Sequence, residues 1–346
     1  MRRHKHLFEQ VVSFDNVLAA ACAALRGRRS RQPGAAFYAD LESQVVDLQG
    51  ELSTGVYRPG DYQYFQIHEP KERTVAAAPF RDRVVHHAIV RVIQPIFEKR
   101  FIEDSFASRP GKGTHAAMRR ASQFAQRYPY ALKCDVQKYF PSIDHATLMS
   151  LVGRVVGDKR LLSLIATVLD THHDSVRQEW PTGGDLFDMR LHKCGLPIGN
   201  LTSQFLANVY LDSLDQFVKH ELRIKGYARY LDDFLLFGPD RTLLKQQGRR
   251  VKEKLASLHL RMHSDKYRLV PTRCGVDFVG FVVRTDGRIR VRTATARRFH
   301  DRFGRMRWEL RQRRRSAASL TTSVRAWIAH VKHAQSVGLR RAVLSR

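Results

Sequence analysis

The segment 230–237, YLDDFLLF, places Asp232 and Asp233 side by side inside an otherwise apolar run. A bare pair of aspartates is common in surface turns, but a tyrosine before the pair and apolar residues after it are typical of strands. Residues 227–237 therefore predict a β-hairpin with two acids at its tip. Carboxylates in apolar surroundings are costly unless they are paired, and coordination of a metal ion would relieve that cost.

A third acid, Asp135, closes the short apolar run 131–136, which predicts another strand. Hard divalent cations prefer oxygen ligands, and two such ions about 4 Å apart assist phosphoryl transfer in nucleotide polymerisation. We therefore predict a catalytic site for two Mg²⁺ ions whose carboxylate ligands are Asp135, Asp232 and Asp233.

The charge of the chain is strongly positive. Sixty Lys and Arg against 33 Asp and Glu give its 346 residues a formal net charge of +27, and such a surplus favours a nucleic-acid partner. No run approaches the roughly 20 apolar residues of a membrane-spanning helix, and the basic N-terminus is followed by no signal-peptide core. The four cysteines form no CxxC pair, which argues against disulfides and a zinc ribbon. We expect no membrane partner and a cytoplasmic location.

Hydrophobic periodicity predicts a mixed α+β fold. A change of composition near residues 284–292 predicts a domain boundary, and the chain after Thr293 is helical and very basic. Predicted helices cover residues 8–25, 37–52, 81–99, 145–169, 201–222 and 241–258. Predicted strands cover residues 62–69, 73–77, 131–136 and 276–283.

A series of motifs in order over about residues 62–283 resembles that of reverse transcriptases. Tyr230–Asp233 resembles that family's YxDD box, 132–140 the box with the first metal ligand, and 195–204 the box behind the incoming nucleotide. The resemblance implies a right-hand polymerase: an N-terminal helical segment (1–60), fingers and ferredoxin-like palm (61–283), and a basic helical thumb (284–346). It also implies RNA-directed DNA polymerase activity on template RNA and an RNA/cDNA duplex, with deoxynucleoside triphosphates as substrates. The metal-binding set that it implies consists of Asp135, Val136, Asp232 and Asp233.

The resemblance assigns a nucleotide-binding set. Guanidinium and ammonium groups suit triphosphates, although each cation taken alone could equally be a solvated surface charge. Phe140 would block a ribose 2′-hydroxyl and so select deoxynucleotides. Arg83 is a further candidate. The nucleotide-binding set consists of Lys71, Arg73, Arg81, Phe140, Ile198, Gly199 and Gln204.

A second set is assigned to nucleic acid and to proton transfer. The turn 109–115 resembles a template-handling turn whose glycines allow close backbone approach. The segment 278–281 resembles the strand that grips the primer end, although a plain core strand fits it nearly as well. Lys266 is a candidate general acid for the leaving pyrophosphate. The nucleic-acid-binding set consists of Arg109, Lys112, Tyr230, Phe278 and Gly280.

Two departures from the usual family pattern point to a subtype. The third box carries Ile198-Gly199 where most members have Gln-Gly, and it ends Ser203-Gln204. This form resembles the reverse transcriptases of diversity-generating retroelements. The resemblance implies misincorporation opposite template adenines, a template-repeat RNA and a small basic accessory protein that forms a pentamer. An isoleucine can neither donate nor accept the hydrogen bonds that a glutamine offers beside the nascent base pair.

Three alternatives stay open at this stage. The chain could be a faithful retron-type reverse transcriptase, or a catalytically silent RNA-binding protein on a polymerase fold. A zinc site is a third idea, although its spacing matches no ordinary ligand pattern. Its candidate ligands are His172, His173, His192 and Cys194.

Overall fold

A computed structural model describes residues 3–68, 72–173, 175–179 and 190–345. The helices are α1 Phe8–Val12, α2 Phe14–Ala24, α3 Gly34–Ala39, α4 Leu41–Thr54, α5 Phe80–Glu98, α6 Thr114–Arg127, α7 Tyr139–Ser142, α8 His145–Gly153, α9 Lys159–Asp170, α10 Leu201–Gln216, α11 Arg241–Ser257, α12 Thr293–Arg311, α13 Ala317–Val331 and α14 Val337–Leu344. The strands are β1 Gln63–Ile67, β2 Arg73–Ala77, β3 Tyr130–Asp135, β4 Ser175–Glu179, β5 Arg190–Cys194, β6 Gly226–Tyr230, β7 Asp233–Gly238, β8 Arg268–Pro271, β9 Val276–Phe278, β10 Phe281–Val283 and β11 Ile289–Val291.

The chain divides into two compact units. The first comprises residues 1–102, 137–216 and 254–261. In it α2 and α10 pack against α5, whose buried face carries apolar residues at helical spacing, among them Val85, Ile89 and Ile93. Two antiparallel hairpins, β1–β2 and β4–β5, complete this unit.

The second unit comprises residues 103–136, 217–253 and 262–346. Its centre is an antiparallel sheet in the order β6-β7-β3-β8, with α6 packed against β6 and β7. A second sheet, β11-β10-β9, shares the same apolar core, in which Phe278 and Phe281 are fully buried. The helices α12, α13 and α14 enclose a small core of their own around Phe299 and Trp327. Helices and antiparallel sheets in one chain confirm the predicted α+β class.

Three predicted helices are each divided in the structure. The predicted helix 37–52 is one of them, because α3 ends at Ala39 and α4 begins at Leu41. Residue Ser13 has an extended backbone (ψ 142°) and its side chain accepts the Asn16 amide, so 8–25 forms α1 and α2 instead of one helix. Asp158 likewise accepts the amides of Arg160 and Leu161 and starts α9 inside the predicted helix 145–169. Both residues are good N-caps, and a side chain that satisfies free amides favours a new helix start over continuation.

The prediction of one strand over 276–283 was wrong. β9 and β10 are antiparallel partners joined at Val279 and Gly280, both with positive φ (46° and 89°). A glycine tolerates this conformation at little cost, which allows the tight reversal. The predicted boundary near 284–292 contains β11, which pairs with β10, and the division into three domains stays a prediction. No helix in the described ranges is long and apolar enough to cross a membrane.

Candidate active site

The three aspartates meet at one end of the central sheet in the second unit. Asp135 ends β3 and is paired in register with Asp233, the first residue of β7. Asp232 lies in the turn between β6 and β7, where its carbonyl accepts the Val136 amide at 3.1 Å. The predicted acid-tipped hairpin is therefore confirmed, because β6 and β7 pair directly on either side of the turn.

The carboxylate of Asp233 is held in an unfavourable electrostatic environment. Burial raises the pKa of Asp233 to about 7, and the carboxylates of Asp135, Asp232 and Asp277 add to the rise, while Lys133 opposes it. The Asp233 Oδ1 atom is buried and has no hydrogen-bond partner. A buried, unpartnered carboxylate oxygen is expensive, so this position fits a cationic ligand.

Two lysines partly balance these acids. Lys266 Nζ lies 2.7 Å from Asp135 Oδ1. Lys133 Nζ lies 3.9 Å from Asp233 Oδ2 and 3.7 Å from Asp277 Oδ2. In the described part of the chain, no group of three or more acid, imidazole or thiol side chains is arranged to hold a metal ion. The available donors are carboxylate oxygens, however, and this is the donor chemistry that divalent cations such as magnesium prefer.

Sequence reasoning did not identify Lys133 and Asp277 as members of this cluster. Lys133 stands two residues before Asp135 on β3, and this spacing places both side chains on one face of the strand. That spacing could have indicated Lys133. Nothing in the sequence indicated Asp277, which lies 142 residues beyond Asp135 on β9.

The first unit holds the glycine turn of the third box. The Ile198 carbonyl accepts the Ala76 amide at 3.0 Å, and Asn200 Nδ2 donates to the Ala76 carbonyl at 2.9 Å. Gly199 has φ +116°, and a Cβ there would lie 2.8 Å from Val75. Close backbone approach to β2 therefore requires glycine at this position. Phe140 is the second residue of helix α7 in the same unit. Its side chain is half-buried, and its ring centroid lies 5.7 Å from that of Tyr139.

The predicted phosphate-binding cations of the first unit differ in their surroundings. Arg73 is exposed on β2. Arg81 forms an ion pair with Glu51 and lies over the Tyr57 ring, 5.5 Å from its centroid. Lys71 lies outside the described residues. The nucleotide-binding roles stay predictions.

The predicted nucleic-acid residues of the second unit lie in the 103–115 segment, at the end of β6 and in the β9–β10 hairpin. Arg109 donates to the Ser105 carbonyl at 2.8 Å, and Lys112 pairs with Glu103. The Tyr230 hydroxyl accepts from Thr114 at 3.2 Å. Phe278 is fully buried in the core, so its side chain packs there, while Gly280 forms part of the hairpin turn.

A basic cavity in the first unit was not found from the sequence. It has a volume of about 280 Å³ and is bordered by Gly199 and Gln204 of the third box. Burial, with His87 and Arg83 nearby, lowers the pKa of His86 to about 3. No carboxylate is among its lining residues in the described part of the chain, so the cavity suits an anion. Its basic and imidazole residues are Arg26, Arg28, Arg83, His86 and His87.

The zinc alternative finds no support in the first unit. His172 is hydrogen-bonded to Tyr64 at 3.0 Å, and His192 to Asp144 at 2.9 Å. Cys194 is buried and its thiol donates to the His192 carbonyl. These side chains have structural partners and form no ligand set among the described residues.

Comparison with known proteins places this geometry in a family. The family model described as reverse transcriptase (RNA-dependent DNA polymerase) matches residues 67–283, well over half of the chain. This range contains Asp135, Asp232, Asp233 and the third box. The match confirms the expected right-hand polymerase fold.

The related proteins include bacterial and intron-encoded ones. Protein YkfC of Escherichia coli K12 is 26% identical over 286 residues, 70% of this chain and 71% of YkfC. The group II intron-encoded protein LtrA of Lactococcus lactis is 26% identical over 182 residues, 51% of this chain and only 28% of LtrA. Among solved structures, Candida albicans telomerase in complex with a telomeric RNA fragment aligns with a TM-score of 0.48 at 13% identity, over 71% of this chain and 50% of the telomerase chain.

Proposed function

This chain belongs to the reverse transcriptase family of RNA-directed DNA polymerases, and we propose that it copies a template-repeat RNA into error-prone cDNA mutagenised at adenines. The cDNA would serve targeted diversification of a gene. The observation that carries the polymerase part is the convergence of Asp135, Asp232 and Asp233, with one buried carboxylate oxygen left unpartnered. The subtype is carried by Ile198-Gly199 and Ser203-Gln204.

We assign the family's divalent metal ions, here Mg²⁺, to the carboxylates of Asp135, Asp232 and Asp233, with the Val136 position beside them. When bound, the ions would activate the primer hydroxyl and neutralise the triphosphate. The acids themselves provide a rigid oxygen-rich platform, because Asp135 and Asp233 are fixed by strand pairing. Lys133 and Lys266 limit the negative charge of the cluster.

Lys266 is proposed to donate a proton to the leaving pyrophosphate. We expect Lys266→Ala to slow single-nucleotide incorporation by at least about 100-fold, the lower end of general acid catalysis. The measurement is the single-turnover rate at saturating nucleotide, with Lys245→Ala on the exposed side of α11 as the matched control. An unchanged rate for Lys266→Ala would contradict the assignment of Lys266 as the general acid.

A basic cavity in the first unit supports the proposal that template RNA is a partner. The basic cavity that ends at Gly199 and Gln204 would accept a phosphate group of the RNA strand, and arginines hold phosphate oxygens in bidentate fashion. The proposal includes the small basic pentameric accessory protein that the subtype resemblance implies. With a net charge of +27 on this chain, RNA would bridge two basic partners.

Ile198 is proposed to lower fidelity because it cannot form the hydrogen bonds of a glutamine. We expect Ile198→Gln to reduce substitutions at template adenines by about tenfold, the modest end of what a discriminating contact contributes. The measurement is sequencing of cDNA made on one defined RNA. Ile198→Leu keeps an apolar side chain of equal size and is expected to keep the wild-type error spectrum, and an unaltered adenine error rate in Ile198→Gln would refute the role.

The experiment that tests the whole proposal is cDNA synthesis on the cognate element RNA, with and without the accessory protein, followed by sequencing. Abundant cDNA with substitutions concentrated at adenines would support the diversity-generating function. Faithful cDNA would support the polymerase activity but not the adenine mutagenesis, and it would favour the retron-type alternative. RNA binding without any cDNA under all conditions would favour the catalytically silent RNA-binding protein.

A further inference from the structure

A buried arginine precedes the acid pair by three residues in the sequence. Arg229, on β6, is 0% exposed and heads the group of largest fully buried side chains in the described chain. A fully buried arginine is rare, since charged side chains are almost never fully buried unless they are paired.

The two terminal nitrogens of the Arg229 guanidinium donate hydrogen bonds to two different segments of the chain. Nη1 donates to the Leu231 carbonyl at 3.2 Å, and Nη2 donates to the Ser105 hydroxyl at 3.1 Å. The backbone of Arg229 is fixed as well, because its amide donates to the Asp104 carbonyl and its carbonyl accepts the Phe106 amide, both at 2.9 Å. Arg229 therefore ties the turn at Leu231 to the 104–106 segment of the same unit.

The residue that it holds has a strained backbone. Leu231 has φ +53°, a left-handed conformation that disfavours residues with a Cβ. Strained conformations persist only where the surroundings hold them. Leu231 lies directly between Tyr230 and Asp232, so its conformation sets the direction in which the backbone enters Asp232.

We propose that Arg229 is a positioning residue: its fork of hydrogen bonds to the Ser105 hydroxyl and the Leu231 carbonyl holds the left-handed turn and so keeps Asp232 beside the strand-fixed Asp233 for metal binding. A lysine cannot replace it, because a single ammonium does not span two acceptors in fixed planar geometry. The inference rests on the proposed metal-binding role of Asp232 and Asp233, and it is independent of the mutagenic subtype.

The test measures metal binding separately from catalysis. We expect Arg229→Lys to weaken Mn²⁺ binding, titrated by electron paramagnetic resonance without substrate, and to lower kcat, each by about 10- to 100-fold. The KM for the nucleotide is expected to stay unchanged, which a general loss of structure would not produce. Arg127→Lys, at the exposed end of α6, is the matched control.

Two further variants keep the test decisive if Arg229→Lys folds poorly. Ser105→Ala removes one anchor of the fork and is expected to weaken Mn²⁺ binding and kcat by about 10-fold. Adding Leu231→Gly to Arg229→Lys is expected to restore part of both, because glycine adopts the left-handed conformation without the fork. Wild-type Mn²⁺ binding and kcat in folded Ser105→Ala overturn the inference, as does the absence of any rescue by Leu231→Gly in a folded double variant.

Asp233→Asn separates this inference from the proposed function. If Asp233→Asn binds Mn²⁺ and polymerises as the wild type does, the metal-binding role fails and the inference fails with it. If Asp233→Asn loses both while Ser105→Ala and Arg229→Lys keep both, the metal-binding role stands and only the inference about Arg229 fails.

Discussion

Asp233→Asn is expected to reduce DNA synthesis by at least about 100-fold while the protein stays as stable as the wild type or becomes more stable. Residues that only hydrogen-bond to a metal ligand typically contribute about 10- to 100-fold to activity. We expect a larger loss here because Asp233 is itself proposed as a metal ligand. The stability effect follows from the electrostatics: the amide removes a buried charge that Asp135, Asp232 and Asp277 repel. Lys133 keeps Asp277 as a partner at 3.7 Å.

The measurement pairs primer extension with thermal unfolding of the same preparations. Asp286→Asn, whose carboxylate lies in an exposed ion pair with Arg288, is the matched control and is expected to change neither quantity. A stable Asp233→Asn protein with wild-type synthesis contradicts the assignment. A protein that loses both activity and stability indicates a structural role for this carboxylate, contrary to our expectation.

Asp158→Ala is expected to lower the free energy of unfolding by about 2–4 kcal/mol, the largest single stability effect that we expect outside the core. One carboxylate serves two helix starts. Its Oδ2 accepts the Leu7 and Phe8 amides at 2.8 and 2.9 Å at the start of α1, and its Oδ1 accepts the Arg160 and Leu161 amides at the start of α9. Removing it leaves four helix-terminal amides without this acceptor.

Denaturant unfolding measures the loss of stability, and two further variants are compared with Asp158→Ala. Asp158→Asn keeps one carbonyl acceptor and is expected to lose about half as much stability as the alanine variant. Asp40→Ala is the control, because Asp40 precedes α4 but its side chain makes no capping hydrogen bond. A loss for Asp158→Ala no larger than that for Asp40→Ala would contradict the double-cap interpretation.

The same carboxylate predicts a pH dependence. Burial alone would raise the pKa of Asp158, but the amides of Phe8, Leu161, Leu7 and Arg160 outweigh it and lower the pKa below its usual value. A depressed pKa in the folded state stabilises the protein above the unfolded value of about 4, and the contribution disappears as the pH falls through the lowered value. The difference in melting temperature between wild type and Asp158→Ala is therefore expected to shrink below about pH 4.

Much of the catalytic hairpin could be predicted from the sequence because its signals are local. Apolar residues of strand type around Asp232 and Asp233, and again before Asp135, determine β3, β6 and β7 by themselves. Helix starts at Ser13 and Asp158 are also local, and capping chemistry could have predicted both breaks. The reversal at Gly280 was missed because a short apolar run carries no periodicity that separates one strand from two.

The sequence by itself determined the strands that carry the acids, the cluster's overall charge and the family motifs in their order. Only the tertiary structure decided how the acids are balanced and held: Lys133 between Asp233 and Asp277, and Arg229 between Ser105 and the Leu231 carbonyl. Arg229 and Ser105 are separated by 124 residues along the chain. Contacts of this kind arise when distant segments pack into one core, and hydrophobic pattern and local propensity hold no information about which distant side chains then meet.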